Sequence, residues 1–148
     1  MYGFLILILF PLFFLLVNHL LQLPIFNYAV LKLMGIFCIT LGSIGWTTNI
    51  RLFNTAGKGT PVPIEPPKKL VLANQYRYSR NPMYISTLIV LVGYFFLFGH
   101  LSLLLYVLFA TIGFHLFVTQ YEEPNLKKKF GSEYTAYCKK VPRWITLS

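Results

Sequence analysis

The sequence predicts an all-α integral membrane protein, a bundle of four transmembrane helices, on three observations. Hydrophobic residues make up 56% of the 148 residues and aromatic residues 18%, with mean hydropathy +0.63, more apolar surface than a soluble domain can cover with polar side chains. Four apolar segments recur, each close to the roughly 20 residues that a helix rising about 1.5 Å per residue needs to cross about 30 Å of hydrocarbon. The basic residues gather in two blocks outside those segments.

The first segment runs from Tyr2 to Leu23, with Pro11 expected to kink it. It has no basic leading region and no small-residue cleavage site, and it is longer than the apolar part of a signal peptide, so it reads as a retained anchor. Pro24 and Asn27 are expected to supply the turn into the second segment, Tyr28 to Ile50. Asn81 suits a helix cap and Pro82 a first helical turn, which starts the third segment, Pro82 to Phe98. Only Gly99 and His100 separate it from the fourth, Leu101 to Tyr121, predicting a tight antiparallel hairpin. Backbone groups in lipid must be satisfied within each segment, and the alternating pattern of a barrel is absent, so all four are helices. Beyond them, Leu126, Phe130, Tyr134 and Tyr137 share one face of a helix started by Pro124, with lysines on much of the rest. That is the pattern of an amphipathic helix on a membrane surface, or of a lid over a site, and the two uses are compatible. Residues 1–148 read as one domain, with connecting segments at 51–81 and 122–148.

Charge orients the bundle. Arg51, Lys58, Lys68, Lys69, Arg77 and Arg80 lie between the second and third spans, and Lys127, Lys128, Lys129, Lys139, Lys140 and Arg143 follow the fourth. Both blocks, and therefore both termini, are expected in the cytoplasm, with Lys32 alone on the other side. The net charge of +9 points to anionic lipid headgroups. It does not point to nucleic acid, because the basic residues are spread over loops that flank the membrane. Cys38 sits in a span and Cys138 in a cytoplasmic segment, which argues against a disulfide, and neither has metal-ligand spacing.

Chemistry is confined to the two cytoplasmic segments. In "NTAGKGTPVPIEPPKKLVLANQYRYSRNPMY", four prolines prevent a regular helix, while Gly57 and Gly59 let the backbone approach a ligand or take positive φ. The spacing fits neither a phosphate loop nor a dinucleotide fingerprint. Arg80, at a helix start with free backbone N–H groups, can hold a carboxylate or phosphate, or equally a lipid headgroup. Tyr76, Tyr78 and Tyr84 can form an aromatic belt as readily as a ligand site. In "YEEPNLKKKFGSEYTAYCKKVPRW", Glu122 and Glu123 are half of the four acidic residues in the chain. Two adjacent carboxylates at a membrane exit are unfavourable without a use; a ligand amine, ribose hydroxyls, a cation or the following lysines can supply one. His115 is seven residues before Glu122 and is expected on nearly the same helical face; His19 and His100 carry no motif.

Taken in order around a helix hairpin, "GKGTPVPIEPPKKLV", "YRYSRNPMY" and the EEPN segment resemble the isoprenylcysteine carboxyl methyltransferase and phospholipid methyltransferase superfamily, from about Trp46 to Trp144. The resemblance implies a small helical membrane enzyme that uses S-adenosylmethionine at the cytoplasmic ends of its last helices. Gly57 and Gly59 match the GxG element and Glu122 and Glu123 the paired glutamates, both associated there with the cofactor. Arg80, Asn81, Pro82 and Tyr84 match the RNPxY or RHPxY signature. Asn74 and Gln75 stand where the family often has Gly-Pro, and Asn81 where carboxyl methyltransferases commonly have His; Asn74 tolerates left-handed φ and can preserve the turn.

On that resemblance, Arg80 and the helix start suit the cofactor carboxylate, Glu122 and Glu123 its amine or ribose, and Tyr76, Tyr78 or Tyr84 its adenine or sulfonium. Asn81 completes the cofactor set, and Arg80 and Tyr84 are the candidate catalytic residues. No metal is required. If both central glutamates hold cofactor, the remaining bases are Glu65, Glu133 and three histidines. An anionic carboxylate acceptor needs no base whereas an ammonium must first lose a proton, which tilts the expectation towards a carboxylate on a lipophilic molecule. A phospholipid amine is the alternative acceptor, and a non-catalytic membrane scaffold is the alternative of another class.

Overall fold

The structure is a computed structural model that describes residues 5–52, 55, 70 and 72–145. Its elements are helical: α1 (Leu5–Leu20), α2 (Ala29–Leu52), a 3-10 turn at Asn74–Arg77, α3 (Pro82–Phe98), α4 (Leu101–Phe117), a π-helical turn at Val118–Glu122 and α5 (Glu123–Lys140). Among the described residues, sheet pairing is limited to an isolated antiparallel bridge between Ile25 and His100. The fold is all-α. By length and composition, α2 and the continuous run Leu101–Lys140 are sufficient to cross a membrane, while α1 and α3 are apolar but shorter. The chain divides into two compact units, Met1–Ile44 with Ser86–Gly113, and Gly45–Ile85 with Phe114–Ser148.

In the first unit, α1 opens with a π-helical turn, Leu5–Leu9, just ahead of buried Pro11. A proline ring meets the carbonyl four residues back and lacks the N–H that closes the ladder. The wider turn accommodates both, so the predicted kink takes the form of a π-helical start. The helix is stopped by Gln22 at φ +49, with Leu23 N donating to Asn18 O at 3.1 Å. This corrects the expected turn at Pro24 and Asn27, a stretch that instead runs alongside the α3–α4 connection: Phe26 N donates to Gly99 O (2.8 Å) and Leu101 N to Pro24 O (3.3 Å). Gly99 takes φ +68, and the backbone of Phe26 occupies the space a Cβ would need, so the tight hairpin requires glycine there.

Some polar groups in this unit point inward. Asn18, 1% exposed, accepts from Ser102 N (3.1 Å) and so satisfies one of the orphan donors at the start of α4, while Ser102 Oγ donates to Phe14 O (2.6 Å). Leu91, Tyr106 and Val107 form a buried cluster, with Val90 and Leu103 also buried and the Phe14 ring stacked on Tyr106 at 4.9 Å. Leu12, Phe13, Leu33, Phe37, Phe109 and Ile112 are each more than half exposed. Large apolar side chains on the outside suit hydrocarbon as the surrounding solvent. Where α2 meets α3, a Cβ on Gly35 would lie 2.6 Å from Leu97 N and 2.8 Å from Gly93 O, the close backbone approach of packed membrane helices.

The second unit holds the end of α2, the 3-10 turn, the start of α3 and everything from Phe114 onward. Its core is Tyr134, Tyr137 and Val141, with Leu70, Leu126, Phe130 and Cys138 packed against it. The apolar face read from the sequence therefore exists, but protein covers it, and the exposed side of α5 carries Lys127, Lys128, Lys129, Glu133, Lys139 and Lys140. Two local features depart from the expected pair of separate helices. The chain stays helical through Pro124 by way of the π-helical turn, and it kinks instead at Gly131, whose φ +53 and ψ −120 lie outside helical space. The kink re-aims the second half of α5 and still keeps Tyr134 and Tyr137 on the buried side.

Candidate active site

The site is built on the loop that leads into α3. Asn74, at φ +52, opens the 3-10 turn in the left-handed conformation its side chain tolerates. Gln75 ties the turn to the end of α2, accepting from Asn49 Nδ2 at 2.8 Å and donating to Thr48 Oγ1 at 3.2 Å. Tyr76 is buried, and its carbonyl accepts from the Tyr137 hydroxyl at 2.6 Å. Next, Ser79 to Asn81 line up against the segment after α5. Arg80 N donates to Pro142 O (3.0 Å), and Ser79 Oγ and Asn81 Nδ2 both donate to Arg143 O (3.1 and 3.0 Å). Ser79 Oγ also accepts from Asn81 N at 3.1 Å. The Asn81 amide thus holds the chain's own backbone through its Nδ2.

Charge concentrates on Glu123. Its carboxylate accepts from Arg143 Nε (2.8 Å) and Nη2 (2.9 Å) in a planar fork, and from Arg80 Nη1 at 2.9 Å. The Arg80 and Glu123 side chains are only 11% and 16% exposed, so this pairing is shielded from solvent far more than an ordinary surface salt bridge. Arg80 Nη1 also reaches Cys138 Sγ at 2.8 Å, whereas Arg80 Nε is buried with no partner among the described residues. Hydrogen bonding to Glu123 raises the pKa of Arg143 further, which keeps the guanidinium charged.

Glu122, the neighbouring residue, faces a different partner. It is partly buried, and Tyr84 donates its hydroxyl to Glu122 Oε2 at 2.9 Å. Burial pushes the Glu122 carboxyl above the usual carboxylate range, against the opposing effect of the Tyr84 hydrogen bond and with a further push from the charge of Glu123. The Tyr84 ring is itself fixed by Phe114, centroids 4.9 Å apart. Burial also raises the phenols around the cluster, Tyr137 to about 12 and Tyr76 and Tyr134 as well, so all three stay protonated and act as hydrogen-bonding groups.

Six of the sequence-predicted residues, Tyr76, Arg80, Asn81, Tyr84, Glu122 and Glu123, fall in this one unit, in or beside the network just described. Tyr78 is 76% exposed and stands apart from it. Gly57 and Gly59 lie outside the described residues. His115 is exposed and accepts from Trp144 Nε1 at 3.3 Å; the π-helical turn between it and Glu122 breaks the expected seven-residue register. Arg143, Ser79, Tyr137 and Cys138 are the participants that sequence reasoning missed. Arg143 read as one more topology charge, and the signal that sets it apart, a Pro-Arg pair just past a helix end, gains meaning only once its carbonyl is seen against Asn81.

The arrangement gives one carboxylate, Glu122, a neutral hydroxyl partner, and sets the next, Glu123, against two guanidinium groups, one of which has an Nε with no partner among the described residues. Neither a curated protein nor a solved structure matches the chain. A family model described as phospholipid methyltransferase (PEMT) matches residues 30–133, well over half of the sequence and the stretch that carries Tyr76, Arg80, Tyr84, Glu122 and Glu123. The chain therefore belongs to the phospholipid methyltransferase family, within the superfamily of integral membrane methyltransferases.

Proposed function

We propose that the protein methylates the amine of a phospholipid headgroup. The family uses S-adenosylmethionine and acts on lipid acceptors, and the match to the phospholipid branch supports the amine over the carboxylate acceptor that acid–base reasoning favoured. The site assignment is supported by Glu122, a partly buried carboxylate held by Tyr84, and by Arg80, paired with the adjacent Glu123 and with no partner for its Nε among the described residues. These residues fit the cofactor's charges: an ammonium or ribose hydroxyl suits Glu122, and a carboxylate suits Arg80 Nε. When bound, the cofactor supplies an electrophilic methyl group on its sulfonium.

The protein's part is alignment and exclusion of water. Glu122, fixed by Tyr84, holds the cationic end of the ligand; Glu123 and Asn81 hold the loop and helix that carry the site; Tyr76 and Tyr84 supply aromatic faces. Holding donor and acceptor in line supports up to about 7 to 11 kcal/mol of the barrier reduction. Gly57 and Gly59 belong to the cofactor site in this reading, and exposed Tyr78 faces headgroups. All four apolar helices span the bilayer as one domain, with the basic segments and both termini in the cytoplasm, where the lipid headgroup and a soluble cofactor meet.

The test incubates detergent-solubilised protein and methyl-labelled cofactor with vesicles of ethanolamine phospholipid or with a prenylated cysteine. Label is expected in an alkali-stable N-methyl product from the vesicles. Label only in an alkali-labile methyl ester from the prenylated cysteine overturns the amine assignment. For topology, a thiol probe at Asn27 is expected to react from outside intact cells and one at Lys128 is not; the reverse refutes the orientation.

A further inference from the structure

We propose that Arg143 is a positioning residue for methyl transfer, acting through Glu123 to hold Glu122 in place for the cofactor. Arg143 lies beyond the residues the family model matches, yet it makes two of the three short contacts to the Glu123 carboxylate, at 2.8 and 2.9 Å. Its backbone is the receiving edge for the α3 loop, taking hydrogen bonds from Ser79 and Asn81, with Pro142 taking one from Arg80 N. One residue thus clamps both sides of the site: its main chain fixes the loop that carries Arg80 and its side chain fixes the helix that carries the glutamates. The inference rests on the reading that Glu122 meets the cofactor.

Two negative charges on adjacent residues oppose each other. Glu123 is balanced by Arg80 and Arg143, which arrive from different parts of the chain, and Tyr134 lies within its electrostatic reach on α5. Around Glu122 the facing groups are Tyr84, Tyr76 and Glu123 itself. If Arg143 is lost, Arg80 retains a single short contact to Glu123, and more of the Glu123 charge bears on Glu122. Glu122 then takes up a proton at higher pH, and a protonated carboxyl no longer holds a cationic ligand.

The experiment measures calorimetric affinity for the demethylated cofactor, S-adenosylhomocysteine, across pH in folded, detergent-solubilised protein. The variants are Arg143→Gln, Arg143→Lys, Glu122→Gln, Glu123→Gln and the Glu123→Gln/Arg143→Gln double. Arg143→Gln is expected to weaken binding roughly tenfold near neutral pH. It should also move the acid limb of the affinity profile upward by roughly 0.5 to 1 pH unit, the size of effect a charge several ångströms away exerts across a protein's effective dielectric. Arg143→Lys should restore part of both, and the double variant should bind no worse than Glu123→Gln alone. Wild-type affinity and pH profile in Arg143→Gln overturn the proposal. So do losses that add in the double variant, or a uniform loss with an unmoved acid limb and no recovery with lysine, which mark a merely structural role. If Arg143→Gln does not fold, folded Arg143→Lys carries the test: binding weakened about threefold supports the proposal, since an ammonium lacks the fork, and unchanged binding overturns it. Wild-type affinity in Glu122→Gln instead defeats the underlying site assignment, whatever Arg143 does.

Discussion

Glu123→Gln removes one charge and leaves two guanidinium groups converging on a neutral amide. Breaking a fully buried ion pair by deleting one partner costs about 3 to 5 kcal/mol, because the remaining charge stays desolvated. Arg80, 11% exposed, approaches that limit, whereas Arg143, 34% exposed, can recover water and adds under about 1 kcal/mol. Glutamine keeps one acceptor oxygen of the same shape, so the expected loss is about 2 to 3 kcal/mol. At roughly 2 to 4 °C per kcal/mol for a chain of this size, the thermal midpoint falls by about 5 to 10 °C. The assay is circular dichroism of protein in nanodiscs at one fixed scan rate, since membrane proteins commonly unfold irreversibly. Glu133→Gln is the control: Glu133 is exposed, and its change is expected within about 0.5 kcal/mol. A Glu123→Gln midpoint indistinguishable from that control refutes the view that this carboxylate organises the unit.

Glu122→Gln should behave in the opposite way. Burial raises the Glu122 carboxyl above its unfolded value, so the folded chain binds the proton more tightly, and the charged group opposes folding at pH above the raised pKa but not below the ordinary carboxylate value. The variant is therefore expected to be at least as stable as wild type at neutral pH while binding S-adenosylhomocysteine about ten- to a hundredfold more weakly; a large loss of stability contradicts the reasoning. Tyr84→Phe deletes the hydrogen bond that opposes the upward shift of Glu122, so the acid limb of cofactor affinity should move to higher pH, and an unmoved limb disproves the link. Gly131→Ala meets no atom within 4 Å but must hold φ +53, so a purely torsional loss of about 1 to 3 kcal/mol is expected in the unfolding midpoint, and no change argues against the kink. With an amine acceptor the rate should climb about tenfold per pH unit below the ammonium pKa, while a pH-independent rate points back to a carboxylate.

What the sequence made legible was whatever short-range chemistry decides. The bounds of α3, Pro82–Phe98, follow from Asn-Pro at one end and Gly-His at the other, and the all-α class follows from apolar runs that only helices can satisfy in lipid. Asn74 was legible for the same reason: a left-handed turn needs a residue that tolerates it. The π-helical turn at Val118–Glu122 was not, because one extra residue in a helical turn leaves no mark on an apolar pattern yet shifts every register argument that crosses it. The kink at Gly131 was missed because helical spacing persists on both sides of it. Arg143 was illegible for a third reason. A charge in a basic segment near a membrane satisfies the topology rule so well that nothing local hints at a carboxylate on another element.

The adjacent glutamates show why such distant partners matter. Were both carboxylates unpaired, each would raise the other's pKa, and burial would add to the effect until one was protonated at neutral pH. Were both in salt bridges, neither would be left for a ligand. The structure divides the pair: two guanidinium groups take Glu123, and a neutral hydroxyl, which cannot discharge it, takes Glu122. A hydroxyl orients a carboxylate while leaving its charge for a cation, whereas an arginine in the place of Tyr84 would satisfy Glu122 outright. The division depends on helical geometry as well, because neighbours on a helix project in different directions, Glu123 towards the segment after α5 and Glu122 towards α3. One carboxylate thus ties the loop to the helix while the other keeps a neutral partner, and on that division rests the proposed binding of a ligand with a cationic amine.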